Sequence, residues 1–360
     1  MSTNLSERTF RIAAALRRAL GRATQSRFVR SVAVVAGGTA FAQTIGVLFS
    51  PVVTRLYGPD AYGVLGVFLA GIAILSTVAT MGYSLALSMP SDDKDAVELF
   101  HLSVQWAVVL AVAILPVLIL FRDDIAELLG FRGASSYVWL LAPAALLTGV
   151  YEAFAQWLVR KRRFGKLATT EAGAAATVGL SKVSIGMLAP TPATLILATV
   201  GGKALQMIAA GIYGRDALRS AQGHAWVADR RLRRNRIARN FRDFPLFRAP
   251  QNLLNAVSRN FPVFLFSSMF GASVAGFYAI GQRVLQLPIA LVSRSVGKVL
   301  LPRLAEVAQE GKPIRATVLK STLGLALVGV VPFGLVIAFG PSLFGFVFGA
   351  EWETAGNIAR

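Results

Sequence analysis

The chain has 360 residues, 55% of them hydrophobic and 15% charged, with a mean hydropathy of +0.59 and a formal charge of +19. That is too little charge for the water-facing surface of a soluble domain, and the absence of cysteine excludes disulfides and thiolate metal sites. The only two histidines, His101 and His224, stand far apart without carboxylate company, which argues against zinc.

A membrane span needs roughly 20 mostly apolar residues, and apolar runs of that length follow one another along the chain. Residues 1–31 precede them as a basic arm, "ERTFRIAAALRRALGRATQSRFVR". The arm is mildly amphipathic and reads as a segment along the inner leaflet, drawn there by anionic lipid. It lacks the short apolar region and small-residue cleavage site of a signal peptide. The first run, Val32–Val53, carries Gly38, Ala42 and Gly46 four apart on one face, a small-residue stripe that lets helices approach. "TRLYGPDAYG" follows at 54–63, an outer hairpin turn in which Gly58 and Gly63 serve the backbone and Asp60 is solvated.

The second run, Val64–Leu87, ends before "SDDKDA", whose carboxylates read as helix caps, as do those of "RDD" at 122–124. Further runs are Phe100–Phe121, Tyr137–Val159, Glu171–Leu188 and Ala193–Tyr213. The polar stretch Arg215–Pro245, with "DRRLRRNRIARNFRDF", interrupts the series. After it come Leu246–Met269, Val274–Val299 and Ala316–Phe339, and a tenth run begins after Trp352. Pro116, Pro143, Pro262, Pro288 and Pro332 fall inside these runs and favour kinks.

Lys and Arg crowd into the arm and into the connections after the second, fourth, sixth and eighth runs. The intervening connections hold only Arg55, Arg122 and Arg132. This alternation places the N terminus and the 215–248 segment in the cytoplasm. It also accounts for the basic excess, which in a soluble chain would suggest nucleic acid.

A shift of 213 residues lays Tyr57-Gly58 on Phe270-Gly271 and Gly63 on Gly276. A shift of 212 lays Pro90 on Pro302. Six runs separate the copies, so they share one orientation and the repeat is parallel. The reading is an all-α, polytopic membrane protein with two parallel-repeat helical lobes around a central cavity. The first lobe is 32–214 with six spans, the connector is 215–245, and the second lobe is 246–360 with three spans and the start of a fourth.

An ionisable group at mid-bilayer costs about 3 kcal/mol or more and needs a reason. Arg259 and Arg283 lie well within the seventh and eighth runs, and Arg294 follows three turns after Arg283 on a similar face. Lys203 and Lys182 add positive charge in the first lobe, and Arg55 flanks the turn. Only Glu152 and Glu171 oppose them, so the surplus implies a wet cavity, an anionic ligand, or both. Guanidinium forks match phosphate oxygens in pairs, which suits a phosphate or pyrophosphate. Gly201-Gly202-Lys203 is no phosphate loop: the earlier glycine is missing, Ala204 replaces the hydroxyl residue, and a span surrounds it. Nothing marks a catalytic, metal or cofactor site.

The block "AQTIGVLFSPVVTRLYGPDAYGVLGVFLAGIAILSTVATMGYSLALSMPSDDKDA" resembles the first hairpin of bacterial oligosaccharide flippases in the multidrug/oligosaccharidyl-lipid/polysaccharide exporter superfamily. "FRDFPLFRAPQNLLNAVSRNFPVFLFSSMFGASVAGFYAIGQRVLQLPIALVSRSVGKVLLPRLAE" is similar to the start of their second lobe. The resemblance implies two six-helix lobes around a basic cavity in the inner membrane. Its cargo would be a lipid-linked oligosaccharide on a polyprenyl pyrophosphate carrier, moved to the outer leaflet. Partners would be membrane lipid, a polysaccharide polymerase and other assembly proteins, with no cofactor and no nucleic acid. "GAEWETAG" resembles the start of that family's tenth span, so the second lobe is expected to be incomplete here. A drug or toxin exporter of the same superfamily is the alternative, but it would use a buried acid to bind cations. A membrane enzyme of polysaccharide assembly would need a large outer loop or a catalytic acid or base, and a structural subunit of that assembly would not need the buried arginines.

Overall fold

The computed structural model describes residues 3–130, 135–220, 227–286 and 314–360, and among them every regular element is helical. The chain is a multi-pass membrane protein. Helix α1 (Thr3–Ala79) contains the first predicted span and most of the second. Its basic arm is helical and runs into the first span without a break.

Gly58 is where α1 folds over, with φ 67° and ψ 172°, a backbone conformation open essentially to glycine alone. On a straight helix Ser50 and Tyr62 would be about 18 Å apart. Here both line one cavity and their side chains are close enough to interact, so the limb after Gly58 returns alongside the limb before it.

Four stretches are long and apolar enough to cross a membrane among the described residues: Phe41–Ala79, Asp93–Leu120 (α2), Ser135–Arg160, which includes α3 (Leu141–Arg160), and Pro192–Tyr213 (α5). The fifth and seventh predicted spans fall in α4 (Phe164–Gly186) and α7 (Ala249–Phe270), which carry Glu171, Lys182 and Arg259 and are less apolar because of them. Residues 272–286 form α8, the described part of the eighth span. The ninth lies in α9 (Ile314–Phe348), whose apolar end is Pro332–Phe348. Pro116, Pro262 and Pro332 are inside helices, Pro143 occupies the first turn of α3 where its missing N–H costs nothing, and Pro288 is outside the described residues.

Close contacts give the helix directions. Phe49 packs on Gly179 and Leu56 on Gly186, so α4 runs parallel to the first limb of α1. Leu141 meets Gly71 and Ala79 meets Gly149, so α3 runs parallel to the second limb. Arg160 at the end of α3 pairs with Asp93 at the start of α2 (3.0 Å), which makes those two antiparallel. The turn at Gly58, the end of α2, the start of α3 and the turn at 187–191 therefore share one end of the molecule. The described starts of the basic connections after α1, α3 and α5 share the other.

At that basic end, Asp92 caps α2 by accepting a hydrogen bond from Lys94 N at 3.0 Å, as its sequence position suggests. The connector was expected to be a long polar stretch. Part of it is a helix, α6 (Val227–Asn240), docked on α2 through Arg233 with Asp95 (3.4 Å), Arg234 with Gln105 (3.2 Å) and the buried Ile237.

The repeat has a counterpart in the backbone. Gly271, at the 213-residue shift from Gly58, has φ 88° and ψ 172°. Gly63 and Gly276 meet face to face: a β-carbon on Gly276 would stand 3.0 Å from Gly63 N, and one on Gly63 would overlap the carbonyl of Ala272. Gly66 meets its own equivalent, Ala279, at 3.3 Å from the position of a β-carbon. The two copies of the hairpin thus touch through matching positions.

Candidate functional site: a cationic cavity between the halves

A cavity of about 1150 Å³ lies between the first limb of α1, α4 and α5 on one side and α7 and α8 on the other. The first limb turns Gln43, Gly46 and Ser50 toward it. Helix α4 contributes Glu171 and Lys182, α5 contributes Lys203 and Gln206, and the second half contributes Arg259, Arg283 and Gln286. Four of the six predicted cations therefore share one space. Arg294 lies outside the described residues. Arg55 is elsewhere: its guanidinium donates to the carbonyl of Phe346 at 2.6 Å.

The two halves meet electrostatically in this space. Arg283 reaches across from α8 until its Nη2 is 3.1 Å from where a β-carbon on Gly46 would be. Its charge acts on Lys182 of α4. Lys182 is fixed by its own backbone, since Tyr57 donates its hydroxyl to the Lys182 carbonyl at 2.7 Å. The small-residue stripe thus does more than let helices approach. Ala42 and Gly46 line the cavity, and Gly46 makes room for an arginine of the other half.

Lys203 is in a different situation. Both Glu152 and Glu171 act on it, and each acid is held in place. Tyr151 donates to Glu171 Oε1 at 3.2 Å and Gln156 to Glu152 Oε1 at 2.9 Å. Glu171 is the one carboxylate in the described wall of the cavity. There two carboxylates oppose one ammonium. The Lys182–Arg283 region, eleven residues further along α4, or about 16 Å, is cationic.

Gln206, Gln286 and Gln43 were missed as site residues. Each stands three positions from a residue singled out in the sequence (Lys203, Arg283 and Gly46), and i,i+3 neighbours share a helix face. Applying that spacing around each of these residues would have found them. Tyr62, which also lines the cavity, gave no such signal; it enters only because α1 folds back.

The profile of a family described as "polysaccharide biosynthesis protein" matches residues 52–356. The lipopolysaccharide biosynthesis protein WzxC of Escherichia coli strain K12 is 22% identical over 316 residues, covering 86% of this chain and 61% of that protein. The succinoglycan biosynthesis transport protein ExoT of Rhizobium meliloti strain 1021 is 25% identical over 313 residues, covering 85% of this chain and 59% of that protein. The chain thus spans about three fifths of the length of the curated relatives it matches. Its two hairpin blocks, its spans and the matched family agree: the chain belongs to the polysaccharide biosynthesis protein family.

Proposed function

We propose that the chain acts in the transport of lipid-linked oligosaccharide, moving units on a polyprenyl pyrophosphate carrier from the cytoplasmic to the outer leaflet for surface polysaccharide assembly. In this reading it is a transporter, not an enzyme, and its two halves are lobes divided at the 215–245 connector. The basic end faces the cytoplasm of an inner-membrane protein, as the charge distribution favours.

One observation carries the reading. Lys182 and Arg283, from opposite halves, turn toward the same cavity and act on each other there, and among the described residues no carboxylate is paired with either. Like charges brought together in one cavity repel, and an anion between them converts that repulsion into two attractions. A pyrophosphate matches the guanidinium fork of Arg283 and the point charge of Lys182. The volume exceeds the roughly 300–1,000 Å³ of most small-molecule sites, which suits a cargo with a saccharide attached. The relatives' names, a lipopolysaccharide biosynthesis protein and a succinoglycan biosynthesis transport protein, support the same cargo class.

The test is surface glycan per membrane-inserted molecule in cells that depend on this chain for export. Losing one contact to a charged group costs about 1.5–3 kcal/mol, a 10- to 150-fold loss of affinity. Arg283→Gln and Lys182→Gln are expected to export poorly and Arg283→Lys to retain part of the activity. Wild-type export by both glutamine variants would overturn the anionic-cargo reading.

A further inference from the structure

Where α3 ends, the chain reads Arg160-Lys161-Arg162-Arg163, and three of these cations are engaged within the protein. Arg160 and Lys161 share the carboxylate of Asp93. Arg163 donates to Asp216 and to the carbonyl of Tyr213, each at 2.8 Å. Arg162 is exposed, and among the described residues its guanidinium has no partner. It also stands where glycine is the usual residue. Its φ is 55°, its N–H returns to the Val159 carbonyl, and the N–H of Arg163 returns to that of Leu158. That is a Schellman ending with arginine at the left-handed position, where a β-carbon is unfavourable. Folding alone does not call for this side chain.

The surroundings of Arg162 show what the side chain meets. Helices α4 and α5 form a hairpin, and each turns one face away from the cavity. On α4 the exposed Lys166, Thr169, Gly173, Thr177 and Leu180 recur three or four apart, opposite the cavity-lining Glu171, Val178 and Lys182. On α5 the exposed Leu197, Leu205, Ile208 and Ile212 lie opposite Thr199, Lys203 and Gln206 in the same way, and the exposed Arg215 follows them. In a membrane these outward faces meet acyl chains. Their basic ends are tied together at Tyr213, whose carbonyl holds Arg163 and whose ring lies 4.6 Å from the ammonium of Lys166. Arg162 comes two residues after the apolar stretch that ends at Arg160, a distance of at most about 7 Å. One headgroup layer is about 5–7 Å deep.

We propose that the basic end of the α4–α5 hairpin binds the headgroup of an anionic phospholipid whose acyl chains lie along the outward faces. Arg162, Arg163, Lys166 and Arg215 gather there, and Asp216 pairs with only one of them. Guanidinium forks and an ammonium match a phosphodiester, and basic pockets between membrane helices take such headgroups. Setting the orientation of the chain would not require Arg162 in a left-handed conformation, since a cation at any nearby position serves that purpose. The site lies on the far side of α4 and α5 from the cavity, so it does not depend on the cargo reading.

Native mass spectrometry of the purified chain, titrated with phosphatidylglycerol or with phosphatidylcholine of the same acyl chains, measures the site. Each cation near an anionic lipid surface is worth about fivefold in affinity. Arg162→Gly and Arg215→Gln are each expected to weaken the tightest phosphatidylglycerol by about that factor and the double variant by more, while Arg162→Lys keeps most of the binding. Phosphatidylcholine is expected to bind all variants alike. Thermal unfolding in lipid-free detergent supplies the contrast. Arg162→Gly relieves the left-handed strain and is expected to raise Tm by about 2 °C, so its weaker lipid binding does not come from a damaged fold. Equal binding of the two lipids by the wild type would overturn the proposal, as would unchanged phosphatidylglycerol binding in the double variant. Displacement of the lipid by an equal concentration of glycerol phosphate would also overturn it, because the site would then be one for a soluble phosphate.

Discussion

Arg283 and Gly46 belong to different halves of the chain, yet the guanidinium of one occupies the space a side chain on the other would need, 3.1 Å from the missing β-carbon. The size of residue 46 therefore sets the position of a charge on another helix. Gly46→Ala should be tolerated, because the far end of an arginine can move by a few tenths of an ångström. Gly46→Leu should leave the protein folded and inserted while export falls toward the level of Arg283→Gln. Normal glycan export by Gly46→Leu would show that the placement of Arg283 is immaterial.

The two turn glycines separate backbone strain from crowding. Gly271 has nothing within 4 Å of a β-carbon and Gly58 only Glu351 Oε2 at 3.5 Å, so Gly58→Ala and Gly271→Ala act through φ and ψ alone. Each should cost about 1–3 kcal/mol. Gly63→Ala has an ordinary helical backbone but collides with the Ala272 carbonyl, and should be worse than either. Thermal unfolding in detergent gives the ranking.

Arg160 looks like half of an ion pair with Asp93, but it also donates to the carbonyls of Leu87 (3.1 Å) and Pro90 (2.7 Å). Asp93 is 56% exposed, so the ion pair itself contributes at most about 1 kcal/mol. Removing the arginine leaves carbonyls unpaired, at about 1–3 kcal/mol. Arg160→Ala should therefore destabilise the protein more than Asp93→Asn, and equal losses would show that the ion pair alone matters.

Arg55 was grouped with the cavity cations from the sequence, but its guanidinium holds the Phe346 carbonyl. Arg55→Gln should lower the amount of folded protein and leave export per inserted molecule near wild type. A loss of export at normal protein level would place it in the transport path.

Orientation is open to a direct check. A reporter fused within 221–229 should read as cytoplasmic and one within 133–136 as external. The opposite result at 133–136 would reverse the sidedness of the cavity.

The sequence by itself determined the membrane class, the glycine turns and the excess of positive charge within the apolar runs. These depend on local quantities: run length against bilayer thickness, the need for glycine at φ and ψ values like those of Gly58, and the cost of a charge in lipid. The 213-residue shift was legible for the same reason, since equivalent turns need equivalent backbones. Only the tertiary structure decided which charges share a space. Lys182 and Arg55 looked alike, both basic and near span ends, and one lines the cavity while the other clasps a backbone carbonyl. Asp60 is exposed, as expected, but its partner Ser273 lies 213 residues away, and Trp352 gave no hint of Tyr62. Contacts across a pseudo-symmetric interface depend on how two hairpins dock, and no local pattern in either hairpin encodes that.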